Sequence, residues 1–358
     1  MIKKLSLAAL LAASTLTANA QKVNYSVVET DPDRAKTTTL DLQFLNLGTY
    51  QGFGMGYGIK AETMLTDKIG AFLEYKNTYF ETPNSSSASS ELGAIVPSAG
   101  LKHNMNIEAG GTYFFLKRKV ASNVKVQLSS MSFGNVTVIH YTSVPSLVQH
   151  MLGARGGLTY FQKALDFESA SHKYFNYKSK DGKTNVPIDE EFAGLHVQPD
   201  GNSWEPFTNS KVFAIFAGLD YRNIRNTIIQ AEDYGRCANA TSFDIYFDLM
   251  VAPSISFANV IDTARHEWQI VPTSKGTSNF GYRFGVTRHP GRTVGFSSTL
   301  EFGKKPSAVM GAGFFNTGGY INYTISLCIS SALNLLGHKP AGAAHKMVDK
   351  KETTSEKI

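Results

Sequence analysis

Gly318–Ile329 reads GGYINYTISLCI. From Ile321 onward, apolar side chains alternate with small or polar ones. Ile321, Tyr323, Ile325, Leu327 and Ile329 fall on one face, and Asn322, Thr324, Ser326 and Cys328 on the other. Successive side chains of a strand point to opposite faces, so this stretch predicts a two-faced ribbon. The alternation recurs over residues 37–330 in fourteen segments, with twelve or sixteen as alternative counts.

Residues 53–80 hold the clearest hairpin. Tyr57 and Ile59, then Leu73 after the polar turn Thr66-Asp67-Lys68, set one face. Lys60, Glu62, Glu74 and Lys76 set the other, a charged face that calls for a wet interior. Segment 104–116 places Tyr113 and Phe115 outward against Glu108. Lys117-Arg118-Lys119 then reads as a turn, followed by segments at 123–132 and 135–144 and a break at Pro145. Segment 150–163 carries Arg155 on its polar face. Segment 211–222 sets Phe213 and Ile215 against Asp220 and Arg222, with a short segment near 226–233. Phe243, Ile245 and Phe247 oppose Asp244 and Asp248, Phe284 opposes Arg283, and Phe296 opposes a face carrying Glu301. A run at 308–316 and the final ribbon complete the fourteen.

The two faces need two solvents. A soluble sandwich also alternates, with its polar face outward. Lipid offers no hydrogen bonds, so two-faced strands survive there only as a closed barrel. The aromatic outer rows and the absence of a disulfide frame favour the barrel. Cys237 and Cys328 fall in different segments and read as free thiols. The expected fold is therefore all-β, a closed antiparallel transmembrane barrel with long extracellular loops and short periplasmic turns.

The ends agree with export. Lys3 and Lys4 precede an apolar stretch over Leu5–Leu16 and the A-x-A site Ala18-Asn19-Ala20, which predicts a signal peptide over 1–20. That stretch is shorter than the roughly 20 residues a spanning helix needs. Residues 21–36 read as a periplasmic lead-in, 37–330 as the barrel and 331–358 as a flexible periplasmic tail. Mean hydropathy of −0.16 suits strands with one lipid face and one polar face. The formal charge of +6 is too small and dispersed to imply nucleic acid.

The phrases MGYGIKAETMLTDKIGAFLEY (55–75), LGARGGLTYF (152–161) and the Gly-Gly-Tyr closing strand resemble Gram-negative outer-membrane β-barrel proteins, most of all barrels of the Bacteroidota. The resemblance covers 37–330 in style and carries no diagnostic motif. It implies an integral outer-membrane location, with lipid and lipopolysaccharide as surroundings.

The interspersed signs of the twelve inward charges read either as a brace of ion pairs or as the lining of a water-filled pore. His140 and Thr142 share a face, a weak analogue of a His-hydroxyl catalytic pair with no third group to orient the imidazole. Asp244 and Asp248 simply repeat one lumen face. His172 and His196 lie near Asp189, Glu190 and Glu191 without metal-ligand spacing. The expectation is a non-enzymatic protein without cofactor or metal. It acts as a passive pore or surface-binding barrel, with the irregular stretch 165–210 as gate or ligand surface. The alternative is a non-conducting accessory subunit that docks outer-membrane or periplasmic proteins through 331–358 and 253–278. Phe257, Val260, Ile261 and Ala264 recur at helical spacing in the latter segment and suggest a short periplasmic helix.

Overall fold

The computed structural model describes residues 23–81, 104–133, 135–166, 174–179, 185–187, 207–261, 267–291 and 293–331. The segments expected to be a signal peptide (1–20) and a tail (beyond Ser331), most of 165–210 and the residues His172, Asp189, Glu190, Glu191 and His196 lie outside them.

Ten strands form the wall: β1 (Thr38–Gly48), β2 (Gly54–Met64), β3 (Ile69–Glu81), β4 (Met105–Phe133), β5 (Val136–Asp166), β6 (Phe207–Ala231), β7 (Gly235–Phe257), β8 (Phe280–Pro290), β9 (Val294–Lys304) and β10 (Gly319–Ser331). Each pairs antiparallel with the next in sequence. β10 returns to β1, with Leu327 opposite Leu42 and Cys328 opposite Asp41, so the sheet closes without an edge. β1, β2, β8 and β9 have 11 residues each, close to the roughly 9–11 that a tilted strand needs to cross a bilayer.

The two rims differ. At the rim where β1 begins and β10 ends, only residues 65–68, 134–135, 232–234 and 291–293 separate the paired strands. At the other rim the paired strands are farther apart in sequence, separated by residues 82–104, 167–206, 258–279 and 305–318. An even strand count places these two sets on opposite sides.

The count of ten corrects fourteen, and the difference has a physical cause. Segments 104–116 and 123–132 are one strand, as are 135–144 with 150–163, and 211–222 with 226–233. β3 accompanies β4 only as far as Tyr113, and β6 joins β5 only from Val148 onward. Residues between those points leave the barrel wall as a hairpin projecting past the turn rim. Outside an apolar layer, Lys117-Arg118-Lys119 need no turn. Pro145 sits where β5 has a partner on one side only, a place that tolerates a missing N–H. The run at 308–316 is no strand of the wall; only Ser307–Ala308 pair, with Thr277–Ser278.

The segment 253–278 is corrected as well. It holds no helix among its described residues. Pro253 sits in a register shift of β7, and Glu267–Pro272 pairs with Phe175–Ser179 in a four-stranded loop sheet that includes Val260–Ile261 and Asn185–Pro187. This sheet stands at the loop rim, opposite the lead-in.

Outer side chains form an apolar belt. Tyr57, Ile59, Leu73, Tyr113, Phe115, Phe213, Ile215, Phe243, Phe247, Phe296, Ile321 and Tyr323 are exposed, up to 71% for Phe296. Ile245, Phe284, Ile325 and Leu327 are half-buried on the same outward rows. A monomer rarely shows water so large a continuous patch, whereas acyl chains cover it at no cost.

Candidate functional site

The interior is stratified. Near the turn rim, Met64, Phe114, Met151 and Ile224 pack together against Ala35 of the lead-in. Near the loop rim, Tyr50, Phe161, Val212, Ala214, Ala252 and Tyr320 form a second apolar collar. Between them lies the charged waist.

The waist joins opposite walls. Arg283 of β8 reaches Glu108 of β4 at 2.6 Å, Asp248 of β7 at 2.7 Å and Glu301 of β9 at 3.5 Å. Arg155 of β5 meets Glu108 and Asp248, each at 3.3 Å. Arg222 of β6 pairs with Glu62 of β2 and, at 2.9 Å, with Asp244 of β7. Lys76 bridges Glu74 at 3.1 Å and Glu301 at 3.7 Å, and Lys60 lies 3.1 Å from Glu62. Asp220 accepts from the Thr112 hydroxyl at 3.0 Å. All twelve charged residues therefore face the interior. β8 and β4, β6 and β2, and β9 and β3 are each four strands apart in a ring of ten, so these pairs span the lumen.

Aromatic rings fill the spaces between the charges. The Arg155 guanidinium stacks 4.1 Å from the Tyr246 ring and 4.3 Å from Phe72. Tyr246 donates its hydroxyl to Glu301. Its ring lies flat over β8 because residue 285 is glycine; a Cβ there would stand 2.1 Å from the ring carbon Cζ.

Above the waist, at the loop rim, a polar cavity of about 60 Å³ opens. Asn46, Asn77, Asn104, Asn106 and Asn322 line it, together with Lys76, Lys163, Arg283, Lys305 and the Glu301 carboxylate, which Lys76 and Arg283 pair. The Lys305 ammonium sits over Tyr320 at 4.9 Å and over Tyr50 and Phe161 at 5.3 Å, with no carboxylate in ion-pair range among the described residues. Burial pulls it down to about 8, against the opposing pull of Glu301.

Lys305 and His289 escaped the sequence reading. Lys305 belongs to a connection, where alternation gives no facing. His289 reads as part of a turn, His289-Pro290-Gly291-Arg292, yet it lies within β8, next to last, pointing inward. Asp41 was detectable by the same period-2 rule as the other charges, between Leu40 and Leu42. His140 is exposed on the projecting hairpin, far from the lumen, as its pairing with Ser129 places it.

No family profile matches the chain, and no curated protein matches it. Among solved structures it is similar to the CymD monoaromatic hydrocarbon channel, at 9% identity over 85% of this chain and 91% of that chain, with a TM-score of 0.21. It is also similar to OmpT, an outer membrane protein of Vibrio cholerae, at 8% identity over 83% of this chain and 100% of that chain, with a TM-score of 0.16. Similarity this low carries no inference about activity; the barrel rests on strand register and closure.

Proposed function

We propose that this protein is an integral outer-membrane barrel, closed to passive flow, that binds a small anionic ligand at its loop rim. The observation that carries the closure is the set of ion pairs crossing the lumen, Arg283–Glu108 and Arg222–Glu62 foremost. The waist is sealed by paired charge, and the apolar collars close it above and below. The apolar belt and the short-turn, long-loop asymmetry support the outer-membrane setting.

The vestibule supports the ligand class. Among the described residues Lys305 offers a charge with no carboxylate in ion-pair range, and the asparagines offer donors and acceptors around it. A cavity of about 60 Å³ holds a small carboxylate or the acidic end of a larger ligand. The loop at 165–210 would then border the ligand rather than gate a pore.

Purified protein in a planar bilayer should be silent. Steady channel conductance would sink the closed reading. Anion binding, measured by calorimetry with small carboxylates, should weaken as pH rises through about 8, because Lys305 then loses its proton. Lys305→Met should abolish binding at every pH.

A second reading, the accessory subunit, draws on the hairpin of β4 and β5 and on the strand Tyr25–Glu29, which pairs with Ile228–Ala231 beyond the turn rim. These would dock a periplasmic partner. Segment 253–278 would have no part in it, because it stands at the opposite rim.

A further inference from the structure

The waist accounts for almost every interior charge, with one gap near the turn rim. His289, next to last in β8, is 4% exposed and makes no hydrogen bond through either ring nitrogen. Its Nδ1 lies 3.5 Å from Oδ2 of Asp41 on β1. Among the described residues Asp41, 3% exposed, has no cation but His289 in ion-pair range; its other oxygen accepts from the Ser297 hydroxyl at 2.7 Å. Cys328 of β10 is fully buried beside them as a free thiol. One donor atom of each of Asp41, His289 and Cys328 lies within 4.8 Å of the other two.

A buried imidazole with two idle nitrogens and a buried carboxylate with no fixed cation are both costly in a low-dielectric interior. A divalent cation would relieve both at once. Glu62 and Asp244 also approach His289, but Glu62 already pairs with Lys60 and Arg222, and Asp244 with Arg222. His289 has both ring nitrogens idle, while Asp41 accepts from the Ser297 hydroxyl and Cys328 lies 3.5 Å from the Ser330 hydroxyl; together they offer one sulfur, one nitrogen and one oxygen donor, the set that suits zinc.

We propose that Asp41, His289 and Cys328 form a zinc site inside the barrel wall near the turn rim. Bond lengths of about 2.0–2.3 Å space tetrahedral donors by about 3.3–3.8 Å, so side-chain rotation must draw the three slightly together. The thiol proton leaves to solvent as the metal–sulfur bond forms. A water or a second oxygen of the site completes the coordination. The ion would tie β8 to β10 and β1, the two strands that close the barrel, and so act as a structural clasp on the seam.

The test uses the full chain, purified in detergent, stripped with chelator and reloaded. Wild-type protein should retain one equivalent of zinc through gel filtration. Its cobalt(II) form should show a thiolate-to-metal charge-transfer band. Cys328→Ser should remove that band, and both it and His289→Gln should weaken zinc binding at least tenfold. Cys237→Ser and His140→Ala should change neither readout. Zinc retention equal in Cys328→Ser and wild type, a cobalt complex without the thiolate band, or no retained metal would each overturn the site. Heat-modified gel mobility reports whether each variant folds. If Cys328→Ser does not fold, the wild-type cobalt spectrum and the protection of Cys328 from alkylation by zinc still decide, an unprotected thiol counting against the site.

Discussion

Arg283 illustrates how an interior charge is retained at the scale of one residue. It is 3% exposed, and its guanidinium satisfies Glu108, Asp248 and Glu301 together. Removing one partner of a buried pair leaves the others desolvated and unpaired, which costs roughly 3–5 kcal/mol. Arg283→Met should therefore lower stability by about that amount, read from the urea midpoint of folding into lipid vesicles. Replacing Arg283, Arg155, Glu108 and Asp248 together by apolar residues of similar volume should recover much of the loss, because Glu301 keeps Lys76 and no orphaned charge remains. A loss below about 1 kcal/mol for Arg283→Met would mean water reaches the waist and screens it. Period-2 alternation is enough to show that Arg283 faces inward. It cannot show that Arg283 meets Glu108, 175 positions earlier, because that contact depends on strand number and shear rather than local pattern.

Errors at the element scale came from reading charge as a break. Lys117 and Lys119 remain in β4 because they lie past the apolar layer, where both faces are wet. They also have a task that local pattern does not reveal. Asp33 of the lead-in lies 2.7 Å from Lys119 and 3.3 Å from Lys117, and Asp31 lies 2.8 Å from Lys119. Partial burial raises the Asp33 carboxyl, and the two ammonium groups outweigh it and hold it below its usual value. A carboxyl lowered in the folded state adds stability above its unfolded pKa of about 3.9 and loses it as pH falls through the folded value. Hydrogen-exchange protection of residues 25–35 should accordingly fall when the pH drops below about 3.9, while the barrel strands stay protected. Asp33→Asn should show the reduced protection already at neutral pH. Protection that ignores both changes would show that strand pairing alone holds the lead-in. The hairpin at 53–80 needed no such context, since both of its faces and its turn lie within one short stretch.

At the scale of the whole molecule, the two rims make orientation testable. Strand count fixes which connections share a side, and a corrected count of ten reassigns 258–279 to the long-loop rim. Short turns with the chain's first and last strand ends face the periplasm in barrels of this kind, and long loops face outward. The charged waist adds no directional bias, because its signs are mixed, so loop length carries the prediction. A single cysteine at Lys275, exposed in the 258–279 connection, should react with an impermeant maleimide on intact cells. A cysteine at Asp233, exposed in the turn between β6 and β7, should react only after the outer membrane is permeabilised. The background must lack Cys237, which lies close to that turn; Cys328 is fully buried and should stay silent. The reverse labelling pattern would place the lead-in and the projecting hairpin outside the cell. Labelling of both positions in intact cells would mean the chain does not span the membrane, and the apolar belt would then need a protein partner to cover it.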